Sequence, residues 1–569
     1  MMNRQIVQIP AEQVQKLHEL EEIRLDLKGY PLSRKVHVLL QEKLADLFLG
    51  KKIPDKHRYL KGKWYEQVRE CFPIHVITLV AIGVVTYTEE MLGKPFTKIL
   101  ISSQGNKAWW CNYIDDIFEV GYYLLDKLRN EQIRKEYYKR TDMIYLEVRE
   151  LCERLRKTNL KRLSKTDFKE AYNHLYDSLQ RYHALSWDID AFDIVIEEKL
   201  KEGFKELFIQ KRGKFSANEY NADYNIIGTS SELSFVSLEH IDLNSAAQEV
   251  RESKRIKKLF TRDSRVIEKR LRNSYPKFYN KIKALEEKYW WTSLGWVNRD
   301  EKNSITFIDD IKKILKETRD IEGDSKNTRD FVEEISLKKK ELSKIYAFND
   351  DITYLVHLMD RFVVYHDYRK EIQMKGTAVM NYFLFELSRR SGVKYDDLVW
   401  AFPFEIQEFM RTNHLDLAKI EKRKEAYFVL ITKDGIEELT GERAIQRRNE
   451  ELKADLSEIN DFKGVIASVG KVCGRAKVCY SAEDAIQKMK KGDILVASMT
   501  LPNYVNAMKK AAAIVTDEGG VTCHAAIVSR ELKIPSIVGT QIATKVINDG
   551  DLIEVNANHG AVRIIERKV

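Results

Sequence analysis

The fold is decided by Thr516-Asp-Glu-Gly-Gly-Val-Thr-Cys-His-Ala-Ala-Ile-Val-Ser-Arg530, which continues as Glu-Leu-Lys-Ile-Pro-Ser-Ile-Val-Gly539. The adjacent glycines Gly519 and Gly520 permit a tight backbone turn. Residues 525–532 predict a helix whose first turn carries His524. Unpaired backbone N–H groups and the helix dipole favour an anion at such a helix N-terminus. An imidazole in that position suits a histidine that becomes phosphorylated.

This stretch closely resembles the phosphohistidine segment of the phosphoenolpyruvate-utilising enzymes. The family pattern has a threonine, two glycines, a threonine or serine two residues before the histidine, then alanines and an arginine. An ordinary capping or core histidine would not explain agreement with that pattern at eight positions. The eight are Thr516, Gly519, Gly520, Thr522, His524, Ala525, Ala526 and Arg530.

The resemblance extends from about Phe462 to the end of the chain and implies a swivelling β/β/α domain that carries a phosphoryl group between two distant sites. We therefore expect a multidomain protein with a large, mostly α-helical acceptor and linker region at 1–455 and the swivelling phosphohistidine domain at 456–569. The first region is expected to subdivide near 212–245 and 300–345 and to contain a small hairpin near 426–440.

Two expectations concern secondary structure in that first region. From Cys71 onward the hydrophobic pattern is helical over a long distance, and strands are scarce before the hairpin. The interval from Arg212 to Ser245 is rich in Ser, Asn and Gly, which predicts loop or irregular structure.

Composition and charge indicate which partners to expect. The 569 residues are 44% hydrophobic and 32% charged, which is typical of a globular protein. The formal net charge of +9 is mild for this length, and residues 461–569 contribute 15 Lys and Arg against 11 Asp and Glu. With basic residues dispersed among acidic ones, we expect no nucleic-acid partner.

The cysteines and the N-terminus indicate the compartment. Six cysteines form no CxxC pair, which favours reduced thiols, and no signal peptide opens the sequence. The most apolar run, from Ile74 to Tyr87, contains His75 and is shorter than the roughly 20 residues of a membrane-spanning helix. We expect a cytoplasmic protein with no membrane partner.

Full-length members of the family carry an ATP-grasp module before the histidine domain and a phosphoenolpyruvate-binding barrel after it. The chain ends 45 residues after His524 and shows no Gly-rich phosphate-binding loop earlier, so we expect neither module here. This architecture resembles the phosphohistidine subunit of phenylphosphate synthase. The resemblance implies that His524 receives a phosphoryl group from ATP and Mg²⁺ bound by an ATP-grasp partner subunit, and delivers it to a small-molecule acceptor in the helical region.

The candidate residues form two groups. His524 is the predicted catalytic residue, supported by Gly519, Gly520, Thr522 and Arg530; Thr522 either caps the helix or is regulatory, and Arg530 either binds phosphate or stabilises the helix. The acceptor-site candidates lie within one or two long amphipathic helices predicted from Asp350 to Arg390, which Gly392 should end; their alternative interpretation is a solvated helix face. They are Arg369, Lys370 and Lys375 for contacts with phosphate, and His366 or Asp367 as the base. No metal site is predicted in this chain.

Two other functions stay open at this point. The chain could be a single-chain kinase whose nucleotide site is not recognisable, or a non-catalytic switch or binding protein regulated by phosphorylation of His524.

Overall fold

The computed structural model describes residues 64–70, 73–105, 107–295, 299–452, 459–520 and 523–568. Thr522, the predicted helix cap or regulatory residue, and Cys71, where the helical pattern begins, lie outside the described residues. Within them, the chain has a large helical region that includes one antiparallel sheet, followed by a C-terminal domain built on a second sheet. This confirms the expected fold class.

The sheet of the helical region has the strand order β1-β3-β2-β4-β5, with every neighbouring pair antiparallel. Strands β4 and β5 form a hairpin across Lys433 and Asp434, at the position where a hairpin was expected. The five strands are β1 (Trp64–Glu70), β2 (Lys98–Gln104), β3 (Lys107–Tyr113), β4 (Ala426–Thr432) and β5 (Gly435–Thr440).

The prediction of helical structure over a long distance after Cys71 is wrong at β2 and β3. Both strands are short, largely buried runs in which β-branched or aromatic residues are frequent. Periodicity alone does not separate such a run from part of a buried helix. Their partners are also remote, since β2 pairs with β4 more than 300 residues later.

The first helices of the region pack around one apolar core together with the long helix that follows them. They are α1 (Ile74–Leu92), α2 (Ile114–Lys127), α3 (Glu131–Lys157), α4 (Lys165–Ser186), α5 (Asp188–Arg212) and α6 (Ala217–Gly228). Helix α1 runs for 19 residues, longer than the apolar run predicted, and by length and composition alone could cross a membrane. It packs against α4, and 67% of its most apolar window is buried inside the protein. Burial of this kind is typical of a core helix.

The prediction of irregular structure from Arg212 to Ser245 is also wrong, because α6 and the next helix occupy most of the interval. Ser234 caps that next helix through its side chain, which accepts a hydrogen bond from the backbone N–H of Ser237. The Ser and Asn residues that suggested a loop therefore lie partly at helix termini, where they are favoured.

A second apolar core lies between the helices that follow α6. These helices are α7 (Phe235–Glu252), α8 (Lys254–Leu259), α9 (Ser264–Ser274), α10 (Pro276–Tyr289), α11 (Ser304–Glu317) and α12 (Ile321–Ile345). The domain boundaries stay a prediction.

The longest helix, α13 (Asp350–Ser391), crosses the helical region and carries all five acceptor-site candidates. Asn349 caps its start by accepting a hydrogen bond from the N–H of Ile352, and Gly392 ends it with φ of 78°. The predicted stop at Gly392 is confirmed, since a positive φ favours glycine. The helices that return the chain to the sheet are α14 (Tyr395–Leu398), α15 (Pro403–Thr412), α16 (Leu417–Glu425) and α17 (Glu442–Glu451).

The C-terminal domain contains eight strands in the order β6-β13-β12-β8-β9-β10-β11-β7. Strands β8 to β11 are parallel neighbours, and the other pairs are antiparallel. The strands are β6 (Asp461–Lys463), β7 (Val465–Ser468), β8 (Lys471–Cys479), β9 (Ile494–Ala497), β10 (Ala513–Thr516), β11 (Ser536–Val538), β12 (Leu552–Asn556) and β13 (Ala561–Glu566). Its helices are α18 (Ala482–Lys488), α19 (Val505–Met508), α20 (His524–Leu532) and α21 (Ala543–Val546).

Candidate functional site

His524 is the first residue of α20, as the sequence predicts, and Cys523 is the residue before the helix. The chain reaches it from the end of β10 through the two glycines. Gly519 has φ of 106°, and a Cβ there would lie 2.6 Å from the Cys523 sulfur. Any other residue at 519 would therefore be strained and would collide with the start of α20.

The imidazole of His524 is held by Thr500, in the segment after β9. The Thr500 hydroxyl oxygen lies 2.8 Å from Nδ1 of His524. When Nδ1 carries the proton and donates it to this oxygen, Nε2 keeps its lone pair and is the nucleophilic nitrogen. Thr500 is a functional residue that the sequence did not identify.

Burial keeps the imidazole neutral. Loss of solvent around the ring lowers the pKa of His524 from 6.5 to about 4. A lowered pKa means that the neutral, nucleophilic form persists well below pH 7, where an exposed histidine would already be protonated.

This lowered pKa predicts a pH dependence for phosphorylation by phosphoramidate, a small donor that needs no partner protein. An exposed histidine peptide is about 90% protonated at pH 5.5, whereas His524 stays almost wholly neutral. The rate at His524 divided by the rate at the peptide should therefore rise about tenfold between pH 8 and pH 5.5. A ratio that stays constant would show that His524 titrates like an exposed histidine.

Replacing Thr500 by Val should slow this phosphorylation about tenfold, the equivalent of about 1.4 kcal/mol, because the ring loses its orienting hydrogen bond. Phosphate should then appear on both nitrogens in ³¹P NMR spectra, rather than on Nε2 alone. Thr432→Val is the matched control, since its hydroxyl bonds within the β4–β5 hairpin. An unchanged rate and a single phosphorylated nitrogen in Thr500→Val would contradict the orienting role.

The two acidic residues before the glycines, Asp517 and Glu518, hold the start of the loop through hydrogen bonds. Asp517 is buried and accepts hydrogen bonds from the hydroxyl of Thr544 and, at 3.0 Å, from its backbone N–H. Burial raises the pKa of Asp517 to about 6. Glu518 accepts hydrogen bonds from Ser498 Oγ at 2.6 Å and from Gln67 Nε2 of β1 at 3.0 Å.

Gly539, which follows β11, packs against the backbone of the same loop. It has φ of 67°, and a Cβ there would lie 2.7 Å from the carbonyl oxygen of Gly519. Gly539→Ala should therefore displace the loop and slow phosphorylation of His524 at least tenfold. Gly492→Ala is the control, because Gly492 has φ of 95° with open space around it and shares only the backbone strain. Equal rates in the two variants would contradict this role of Gly539.

The loop also contacts the helical region. A Cβ on Gly520 would lie 2.9 Å from a carboxylate oxygen of Glu197, on α5. Glu197 is paired with Lys201 at 2.8 Å. Nearby, Lys545 of α21 forms an ion pair of 2.9 Å with Glu66 of β1. In this conformation the histidine domain is docked against β1 and α5.

Two other residues of this segment, Cys523 and Arg530, have less direct roles. Burial raises the pKa of Cys523 to about 11, so its side chain is a thiol rather than a reactive thiolate. Arg530 lies in the last turn of α20, and burial lowers the pKa of its guanidinium, opposed by Cys523 and Glu531. Whether Arg530 binds phosphate or stabilises the helix stays open.

The acceptor-site candidates on α13 mostly have partners inside the protein. His366 Nε2 contacts Asp193 of α5, and its Nδ1 lies 3.3 Å from the guanidinium of Arg369. Arg369 in turn donates to Asp190 of α5 at 2.9 Å. Asp193 and His366 are both partly exposed, so this pair is accessible from solvent.

The remaining candidates have structural environments. Asp367 accepts a hydrogen bond of 2.8 Å from the N–H of Phe235 at the start of α7, and burial raises its pKa to about 6. Lys375 is only 3% exposed and lies 2.5 Å from Glu153 and 2.8 Å from Glu371. Lys370 lies on the same helix with intermediate exposure.

One face of α5 connects the two groups of candidates. Asp190, Asp193 and Glu197 are separated by three and four residues, so their side chains lie along the same side of the helix. Asp193 contacts His366, and Glu197 contacts the loop before His524, about one helical turn away. The His366–Asp193 pair and the His524 loop therefore lie against neighbouring parts of one helix face. In the described part of the chain, no group of three or more His, Cys, Asp and Glu side chains could hold a metal ion.

Comparison with known proteins identifies the C-terminal domain. Residues 489–560 match the family model described as PEP-utilising enzyme, mobile domain. A probable phosphoenolpyruvate synthase of Archaeoglobus fulgidus is 51% identical over 122 residues, which is 21% of this chain and 16% of that protein. The phosphoenolpyruvate synthase of Aeropyrum pernix is 56% identical over 100 residues, 18% of this chain and 12% of that protein.

The similarity to a rifampicin phosphotransferase of Bacillus cereus covers a longer segment at lower sequence identity. It is 34% identical over 178 residues, 30% of this chain and 19% of that protein. The chain thus covers less than one fifth of the length of each of these relatives. Residues 489–560, within the C-terminal domain, therefore belong to the mobile domain of the PEP-utilising enzyme family.

Proposed function

We propose that this chain is a phosphotransferase component that carries a phosphoryl group on His524 to an acceptor bound against the helical region. The proposal rests on the ionisation state and the orientation of the His524 imidazole. Its imidazole is neutral because it is largely shielded from solvent, and it is held at Nδ1 by Thr500 at the first turn of α20. These are the requirements for a nucleophilic Nε2.

The transfer takes two displacements at phosphorus. In the first, the Nε2 lone pair of His524 attacks the donor phosphorus, an N–P bond forms, and the P–O bond to the leaving nucleotide breaks; the leaving nucleotide is ADP when the γ-phosphoryl group of ATP is transferred. The proton on Nδ1 remains hydrogen-bonded to Thr500, so the phosphorylated ring carries a positive charge. In the second, the acceptor oxygen attacks, the N–P bond breaks with its electrons returning to the ring, and a base takes the acceptor proton.

We place the acceptor beside α5, between the His524 loop and the His366–Asp193 pair. His366 is the proposed base and Asp193 orients it, in the arrangement by which a carboxylate fixes a catalytic imidazole. Arg369 lies 3.3 Å from His366 Nδ1 and is the proposed contact for the phosphoryl oxygens. The ion pairs of Lys375 support a structural role for that residue instead.

The donor is proposed to be ATP with Mg²⁺, held by a separate ATP-grasp subunit. This assignment is supported by the architecture rather than by a site in the described residues. The relatives named phosphoenolpyruvate synthase are several times longer than the segments they share with this chain, which supports a donor site outside those segments.

The test is a chase with labelled protein. The purified chain is labelled by incubation with Mg²⁺, ATP labelled at the β- or γ-phosphate, and a lysate of its source organism that supplies the donor subunit. The labelled chain is then re-isolated and mixed with the small-molecule fraction of that lysate. We expect the label to move to a small molecule other than inorganic phosphate, and more slowly in Asp193→Asn. Release only as inorganic phosphate would contradict the transferase and favour a phosphohistidine switch.

A further inference from the structure

The net positive charge of the chain is concentrated in one segment. Residues 254–288 contain 13 Lys and Arg but only 4 Asp and Glu, a net charge of +9, which equals the net charge of the whole chain. The other residues are therefore balanced, with 83 charges of each sign. The dispersal expected from the whole-chain average does not hold here.

This basic segment folds as the three consecutive helices α8, α9 and α10. Each helix directs its apolar side chains into the second core of the helical region: Ile256 and Leu259 from α8, Ile267 and Leu271 from α9, and Phe278, Ile282 and Leu285 from α10. The charged side chains are consequently on the outward faces of all three helices.

Helix α8 presents four exposed cations within five residues: Lys254, Arg255, Lys257 and Lys258. None of the four forms an ion pair with any residue in the described ranges. Like charges this close repel one another, so the helix is favoured when an anion neutralises them.

Helix α9 continues the surface. Arg265, Lys269 and Arg270 are exposed and also have no ion-pair partner among the described residues. Other cations of the segment are neutralised locally, such as Arg272 by Glu268 and Lys281 by Glu249. The unneutralised charge therefore lies mainly on α8 and α9.

The chemistry of the surface favours one class of partner. Val266, at 42% exposure, is the one exposed large apolar side chain in this fully described segment. A protein interface has an apolar centre, and a helix that enters a membrane surface exposes apolar residues, so both fit poorly. Exposed polar side chains accompany the cations, as at nucleic-acid backbones; they are Thr261, Asn273, Ser274 and Asn280.

We propose that the outward surface of α8 and α9 binds the phosphate backbone of double-stranded nucleic acid without reading its sequence. This replaces the expectation of no nucleic-acid partner, which rested on the whole-chain charge. The proposal does not depend on the chemistry of His524.

The experiment measures binding of the full chain to fluorescent 20-base-pair DNA and RNA duplexes by anisotropy. Non-specific binding with a Kd on the order of 10⁻⁶ to 10⁻⁴ M is expected. If about five cations contact phosphates, the slope of log K against log salt is about −4.5, so affinity falls about 500-fold between 50 and 200 mM salt. Preference for one duplex identifies DNA or RNA as the ligand.

A variant with four substitutions on the surface should reduce the steepness of that slope by about 2 to 4. Exposed side chains without partners can be replaced with little effect on folding. The variant carries Arg255→Gln, Lys258→Gln, Arg265→Gln and Lys269→Gln. The control removes four equally exposed lysines elsewhere in the helical region: Lys211→Gln, Lys214→Gln, Lys326→Gln and Lys340→Gln.

Three outcomes would overturn the proposal. One is no binding to either duplex at 50 mM salt, and another is equal weakening by the variant and the control. The third is binding to phosphatidylserine vesicles but to neither duplex, which would identify a membrane surface as the partner. Binding that weakens in the variant and persists in the control is the result we expect.

Discussion

His524→Ala is expected to abolish phosphorylation of the chain, lowering incorporation of label at least about 1000-fold, to background. No other group in the described site can replace its nucleophilic nitrogen, since the neighbouring Cys523 is held as a thiol by its raised pKa of about 11. Folding should be retained, because the side chain is only partly buried and, among the described residues, its one hydrogen-bond partner is Thr500. The measurement is acid-labile, base-stable label after incubation with the source lysate and labelled ATP.

The matched control for this prediction is His559→Ala. His559 is an exposed histidine of the same domain, between β12 and β13, and its loss should leave the label unchanged. Label that survives in His524→Ala would place the phosphoryl group on another residue.

Lys375→Met is expected to destabilise the helical region by about 3–5 kcal/mol, the usual cost of removing one member of a buried ion pair. Lys375 neutralises both Glu153 and Glu371, and Glu153 also accepts a hydrogen bond from Trp290 at 3.1 Å. Without the ammonium group, two partly buried carboxylates remain that have lost their shared cation. The measurement is urea unfolding followed by tryptophan fluorescence.

The control is Lys326→Met, an exposed lysine of α12 whose replacement should change stability by less than about 0.5 kcal/mol. If Lys375 instead contacts the acceptor, Lys375→Met should unfold like the wild type but lose the transfer from His524 to the small-molecule fraction. That result would contradict the structural role.

The sequence was most informative where structure depends on local chemistry. The turn at Gly519 and the helix beginning at His524 follow from neighbouring residues, and both are confirmed. The stop of α13 at Gly392 is another such case. Each of these features is fixed by backbone freedom or helix-end chemistry within a few residues.

Features that depend on distant partners were missed. Thr500 lies 24 residues before His524, and no local pattern links the two residues. Glu197 meets Gly520 only because two domains dock. The basic residues of α13 could be recognised in the sequence. Their acidic partners on α5 could not, because Asp193 and Asp190 lie 173 and 179 residues away from His366 and Arg369.

Averaging over the whole chain concealed the basic surface. A net charge of +9 over 569 residues is unremarkable, and only the comparison of residues 254–288 with the balanced remainder shows its concentration. Composition does not show which way these side chains point. The fold does, because it buries the apolar residues of these helices and leaves their cations exposed.

The most direct measurement is to locate the phosphoryl group after labelling with β- or γ-labelled ATP and the source lysate. Peptide mapping under alkaline conditions, with ³¹P NMR of the phosphorylated chain, identifies both the residue and the ring nitrogen. We expect phosphate on Nε2 of His524 and none when the purified chain is incubated with Mg²⁺ and ATP alone. Phosphate on another residue, or on Nδ1 of His524, would contradict the phosphoryl-carrier site, and labelling of the chain alone would contradict the separate donor subunit.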